Sequence, residues 1–180
     1  MSKPADLAAA YRGGGARSPG EPMSAPAELA DNYLRGPAEL RAAVAGMTRD
    51  QLVARPIPGR WSTLEVIAHL ADFEPIFVDR FKRVLALDEP PLLLAADENR
   101  FFQALRYHDR DAAEELAVID ATRASAARLI RALTPAELAR TGVHSLKGLQ
   151  TMEQVIRTAT GHIAHHVPFV REKRAALGLS

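Results

Sequence analysis

An all-α fold, a four-helix bundle with short connecting helices, is predicted for this chain by three observations. From about residue 27 onward Ala, Leu, Arg and Glu dominate and β-branched runs are scarce, a composition that favours helix over strand. The pattern resolves into four long helical stretches joined by short pieces, which is the element order of a bundle. Ser/Thr-x-x-Glu/Gln patterns begin at Thr48, Ser62, Thr134 and Thr151. In each, two side chains can satisfy backbone N–H groups that a helix start leaves without partners.

The elements follow in order. A first helix is expected over about 27–47, with Leu40, Val44 and Met47 on one face. Gly36-Pro37 is a point where it can restart, because proline is tolerated at a first helical position. Thr48 to Gln51 opens a short turn, and Arg55-Pro56-Ile57-Pro58-Gly59-Arg60 is a loop by its proline and glycine content. Ser62 caps a second long helix over about 63–87, with a kink expected at Pro75. Within it Phe73, Phe77 and Phe81 form an i, i+4, i+8 stripe of the kind that faces a core or a neighbouring helix. Trp61, just before the cap, fits a hydrophobic staple against Val66.

Residues 88–98, with Pro90-Pro91, form a connection. A short helix over about 98–107 and a long one over about 111–133 come next, then a short one from Thr134 to near Arg140. Residues 141–150 read as a loop with Gly142 and Gly148, before a last long helix from Thr151 to about Ala176.

Composition excludes several functions. The chain has 180 residues, enough for one domain with a real core, and a net charge of +1 from 23 basic and 22 acidic residues. Residues 1–25 hold seven of the glycines and prolines and carry that +1, and they are expected to be a flexible tail. The remaining domain, 26–180, is net neutral, which argues against nucleic acid as a partner. No stretch approaches the ~20 apolar residues of a membrane span, and no secretory signal is visible, so the expected location is cytoplasmic. There is no cysteine, so disulfides, cysteine-held metals and a protein thiol nucleophile are out. A metal here must be held by histidine and carboxylate.

Six histidines are present. His162 and His166 are four apart, so they project from one face of the last helix, the spacing by which a helix offers two imidazoles to one ion. His69, on the second long helix, is the natural candidate for a third ligand. His165 points away from His166 on the helical wheel. Glu65 and Asp72 lie four before and three after His69 and are placed to orient its second ring nitrogen or to act in acid–base chemistry. Spacing alone leaves a competing reading, in which the last-helix histidines sit half-exposed where positive charge suits a helix C-terminus. The capping box already explains Glu65. His108 and His144 fall in connections and carry no ligand signal. Arg60, Arg80 and Arg83 flank the second long helix, either to meet substrate carboxylates or, by the plainer reading, as solvated surface groups.

The segment Trp61-Ser62-Thr63-Leu64-Glu65-Val66-Ile67-Ala68-His69-Leu70-Ala71-Asp72-Phe73-Glu74 resembles the second-helix signature of the DinB/YfiT-like superfamily. Gly148-Leu149-Gln150-Thr151 followed by His162-Ile163-Ala164-His165-His166 resembles its C-terminal signature, and the likeness runs from about 28 to 175. The resemblance implies a bundle of the DinB/YfiT-like type with a divalent metal (Zn, Ni, Fe or Mn) held by His69, His162 and His166. His165 is present in the family without being a ligand. It also implies a homodimer and thiol-dependent S-transferase or isomerase chemistry with bacillithiol, mycothiol or glutathione as cosubstrate. The tail has no counterpart there.

Two mechanisms suit such a centre. Water made acidic at the ion can attack an amide or ester while Glu65 or Asp72 handles protons, as in a metal-dependent hydrolase. Alternatively, an external low-molecular-weight thiol is activated there and attacks a small electrophile. The family likeness favours the second, and the missing cysteine means that the sulfur must come from a cosubstrate. The alternative from a different class is a non-catalytic metal- or ligand-binding protein of the stress response, since the family takes its name from a DNA-damage-inducible member.

Overall fold

A computed structural model describes residues 24–179. The expected tail over 1–25 lies, except for its last two residues, outside them. The four predicted long helices are present: α1 (Pro26–Val44), α3 (Thr63–Ala86), α5 (Ala112–Arg131) and α7 (Met152–Ala176). Three short helices, α2 (Arg49–Val53), α4 (Glu98–Ala104) and α6 (Pro135–Ala139), lie between them, with a 3₁₀ turn at Tyr107–Asp109. All four capping boxes form as their residue types require, Thr48 with Gln51, Ser62 with Glu65, Thr134 with Glu137 and Thr151 with Gln154. The chain does not restart at Gly36-Pro37. Helix α1 runs through both residues, which are buried, and that packing outweighs the hydrogen bond that proline removes.

One connection differs from its loop assignment. Residues 141–150 hold two strands, β2 (Thr141–His144) and β3 (Gly148–Thr151), paired antiparallel. Gly148 sits at φ 74° at the turn, a conformation that glycine adopts without strain. The two-residue β1 (Leu92–Leu93) joins β2 in parallel, within the stretch read as a connection. These strands are too short and too mixed to show alternation, and tertiary contact decides them. A Cβ on Gly142 would meet Leu93 Cδ1 at 2.9 Å, so β1 docks closely only over a glycine.

Helices α1 and α3 each pack against both α5 and α7. The first two long helices therefore lie across the bundle from one another rather than side by side. The core falls into two apolar clusters, one around Tyr33, Phe77, Phe81 and Ile130, the other around Leu40, Leu64, Ile67 and Ile119. The phenylalanine stripe lies in the first, as its spacing predicts.

A polar layer lies where these clusters meet. Arg123 of α5, fully buried, donates from Nη2 to Glu74 Oε1 on α3 at 2.6 Å and to the Ala159 carbonyl on α7 at 2.8 Å. Its Nη1 donates to the Tyr33 carbonyl on α1 at 2.7 Å, and the guanidinium lies 4.3 Å over the Tyr33 ring. The Tyr33 hydroxyl donates to Glu74 Oε2 at 2.7 Å. Burial and the facing carboxylate push that hydroxyl's pKa upward, so it remains a donor. All four long helices thus meet at one ion pair. Gly36 makes room for it, because a Cβ there would lie 2.5 Å from Arg123 Nη1.

Candidate metal centre

His69 comes from the second turn of α3, and His162 and His166 from successive turns of α7. The bundle packs these two helices together, and one nitrogen from each of the three rings falls within 4.8 Å of the others. His69 Nε2 and His162 Nε2 are 3.0 Å apart. An ion bound at about 2.1 Å from imidazole nitrogens holds adjacent ligands about 3.0–3.4 Å apart, so this pair already has the required separation.

All three rings are buried, and burial sets their protonation. It pushes the His69 pKa down to about 3, with the His165 charge adding to the effect. His162 and His166 are held well below the ordinary value by burial and then by the neighbouring His69. The cluster is therefore neutral near pH 7, with lone pairs available to a cation. His69 Nδ1, buried, has no hydrogen-bond partner among the described residues. The donor set and its neutrality fit a divalent ion.

The walls are aromatic. Trp61 meets His69 edge-on with ring centroids 5.4 Å apart and stacks on Phe102 at 4.9 Å. It shares a core cluster with Val66, as a staple would, and also walls the histidines. Phe73 lies 4.3 Å from His69, and Phe77 lies 5.5 Å from His162. His165 is only half-buried and sits beside His166 and Phe169, outside the cluster, as its place on the wheel predicts.

Glu65 and Asp72 have partners other than His69. Glu65 Oε2 accepts from Ser62 N at 2.7 Å and from Arg55 Nε at 3.2 Å. Asp72 forms a two-pronged pair with Arg110, Nη1 to Oδ1 at 2.7 Å and Nη2 to Oδ2 at 3.0 Å. The expectation that they orient the imidazole is corrected accordingly. Helix capping and arginine pairing claim both carboxylates, and ring packing positions His69.

Among the other residues, His108 is exposed beside Asp109, and Arg83 pairs with Asp79 on the surface. Arg60 faces Glu172 and the Phe169 ring. Arg80 departs from the solvated reading. It is largely buried, lies over the Phe77 ring at 5.6 Å and donates to the Leu94 carbonyl.

The neutral histidines make the metal-free protein acid-sensitive. Their folded pKa values lie below the unfolded value of about 6.5, so the unfolded chain binds more protons, and stability falls as pH drops through that value. Each contributes a loss of up to about 1.4 kcal/mol per pH unit, for His69 continuing toward pH 3. Denaturation of chelator-treated protein should show a steep decline in stability from pH 6 to 4.5 relative to pH 7.5. Equal stability at pH 7.5 and pH 5 would contradict neutral burial.

Among the described residues no helix is long and apolar enough to cross a membrane. Comparison with known proteins gives a consistent assignment. A family model, the DinB superfamily, matches residues 32–169, a span that includes all three histidines. YfiT of Bacillus subtilis, a proposed metal-dependent hydrolase, is 29% identical over 145 residues, covering 80% of this chain and 81% of the relative. A second proposed metal-dependent hydrolase, from Bacillus licheniformis, is 26% identical over 145 residues, covering 80% and 82%. The solved structure of Bacillus subtilis YfiT, described as a four-helix bundle of unusual topology, matches with a TM-score of 0.81 at 27% identity, over 92% of this chain and 96% of that one.

Proposed function

Because the chain belongs to the DinB superfamily, we propose that its function is metal-dependent and that its centre activates an external low-molecular-weight thiol for attack on a small electrophile. The observation that carries this reading is a buried set of three neutral imidazoles, with both nearby carboxylates engaged by arginines. His69, His162 and His166 would hold a divalent ion without cancelling its charge, and the ion would supply the acidity that lets a thiol or water ionise near neutral pH. The protein then needs no general base of its own for the thiol route. It supplies the three donors, a wall of Trp61, Phe73 and Phe77 that limits water, and no competing cysteine.

A second reading, hydrolysis, is favoured by the description of the two Bacillus relatives and of the solved structure as metal-dependent hydrolases. In that route water ionised at the centre would attack the ester or amide, while Glu65 and Asp72 are paired with Arg55 and Arg110.

A panel of thiols with monochlorobimane, run beside a panel of simple esters and amides on metal-loaded protein, separates the two. Conjugation about 100-fold or more above the His162→Ala variant with at least one thiol is the expected result, given what ion-driven activation contributes. Turnover of esters alone overturns the thiol reading in favour of hydrolysis. Silence in both panels from protein that holds its metal points to a binding protein.

A further inference from the structure

One wall of the histidine cluster is held far less firmly than the rest. Leu93 and Tyr107 are fully buried, and none of the thirteen residues between them is. This strap, 94–106, contains α4, a helix with no buried residue. From Asp97 to Leu105 its hydrogen bonds among the described residues stay within the segment, as in the Asp97 cap on the Asn99 and Arg100 N–H groups. Few buried groups and no such bonds to neighbouring elements mark a segment of low local stability.

What rests on the body of the protein is aromatic. Phe101 meets Phe73 edge-on with centroids 5.8 Å apart, and Phe102 stacks on Trp61 at 4.9 Å. These two partners are also the rings that wall His69, Phe73 at 4.3 Å and Trp61 at 5.4 Å. At the start of the strap the Ala95 N–H donates to Ser145 Oγ at 3.0 Å. At its end Arg106 holds φ 50° and ψ 51°. A residue with a Cβ resists this left-handed backbone, so that joint is strained while the strap is down.

Between the strap and the cluster lies space. Ala95, Ala96 and Glu98 line a cavity of about 140 Å³ that Phe73, Phe77 and His162 line from the other side. It is smaller than the roughly 300–1,000 Å³ of ordinary small-molecule sites. With the strap down it does not house a thiol and an electrophile together.

We propose that the strap is the lid of the metal centre: it lifts from the Phe73 and Trp61 rings to admit substrate and closes over the cavity beside His162, with Phe101 and Phe102 setting how often it opens. This rests on the reading of the cluster as the reacting centre.

The test uses the full chain, metal-free with chelator, and diethyl pyrocarbonate, a small electrophile that acylates neutral imidazole. Peptide mass analysis gives the initial rate at each histidine. His69, His162 and His166 should react at least about tenfold more slowly than exposed His108, because the closed strap shields them. Phe102→Ala and Phe101→Ala/Phe102→Ala should each speed the cluster about fivefold or more, the scale of losing one aromatic stack, with His108 unchanged. Phe102→Tyr keeps the stack and should stay close to wild type. Trp61 is the only tryptophan, so its fluorescence reads the lid directly. Acrylamide should quench it more in Phe101→Ala, a change that leaves the Trp61 and Phe102 side chains in place. In the wild type, amides of 98–105 should exchange hydrogen at least about 100-fold faster than those of α3 and α7 around the histidines.

Cluster rates unchanged in both alanine variants, quenching unchanged in Phe101→Ala, or strap amides as protected as those of α3 overturn the lid. So does faster exchange throughout α3 and α7 in the variants, which marks general loosening. None of these measurements contains a metal or a thiol, so the lid and the proposed reaction can fail separately.

Discussion

His162→Ala/His166→Ala is expected to abolish stoichiometric metal binding, leaving one imidazole of a three-donor set. Loss of a hydrogen-bonded partner behind a ligand typically weakens metal sites 10–100-fold, and loss of two ligands should exceed that by a wide margin. The three nitrogens lie within 4.8 Å of one another, so no single ring can be spared without opening the coordination shell. His69→Ala should behave in the same way, because His69 alone brings α3 to the centre. His165→Ala should keep the metal, since that ring lies outside the cluster.

Metal analysis after loading and dialysis measures this directly. Thermal unfolding gives an independent readout: at 100 times Kd an ion adds about 2.7 kcal/mol of stability, and the double variant should show no such gain. Metal retained at one equivalent in the double variant, or absent from the wild type under every loading, would refute the centre.

The second large effect lies in the polar layer. Glu74→Ala should destabilise the protein by about 3–5 kcal/mol, because it leaves the Arg123 charge buried without its counter-ion and takes the acceptor from the Tyr33 hydroxyl. The same change leaves that cation unneutralised near His162, whose pKa it already lowers, so metal affinity should fall as well. Replacing the group together, Tyr33→Phe/Glu74→Leu/Arg123→Met, should recover most of the stability, since a buried pair exchanged for apolar groups of similar size is often neutral or better. Urea denaturation of the three proteins decides it. A Glu74→Ala variant within about 1 kcal/mol of wild type would show that the ion pair does not hold the helices as its geometry implies.

Much of this molecule is legible in its sequence because local rules govern it. Ser62 and Glu65 cap α3 whatever lies around them, and His162 and His166 share a face because helix geometry places residues four apart together. The polar layer was open to the same reading. Arg123 falls in the apolar stripe Leu116, Ile119, Ala126, Ile130, and Glu74 lies between Phe73 and Phe77. A charge inside such a stripe is a sign of buried pairing. The hairpin gave no comparable sign, because its four-residue strands carry no period and are shaped by docking against Leu93 and Val84.

The sequence by itself determined the helices, their caps, the candidate donors and the absence of a cysteine among them. Only the tertiary structure decided that Glu65 and Asp72 serve arginines, that Arg123 meets Glu74, and that Arg80 and a hairpin residue 67 positions further on, Lys147, border one cavity. The physical reason is range. Caps and helix faces arise from residues three or four apart, whereas the partner of a charge depends on which helices the bundle brings side by side.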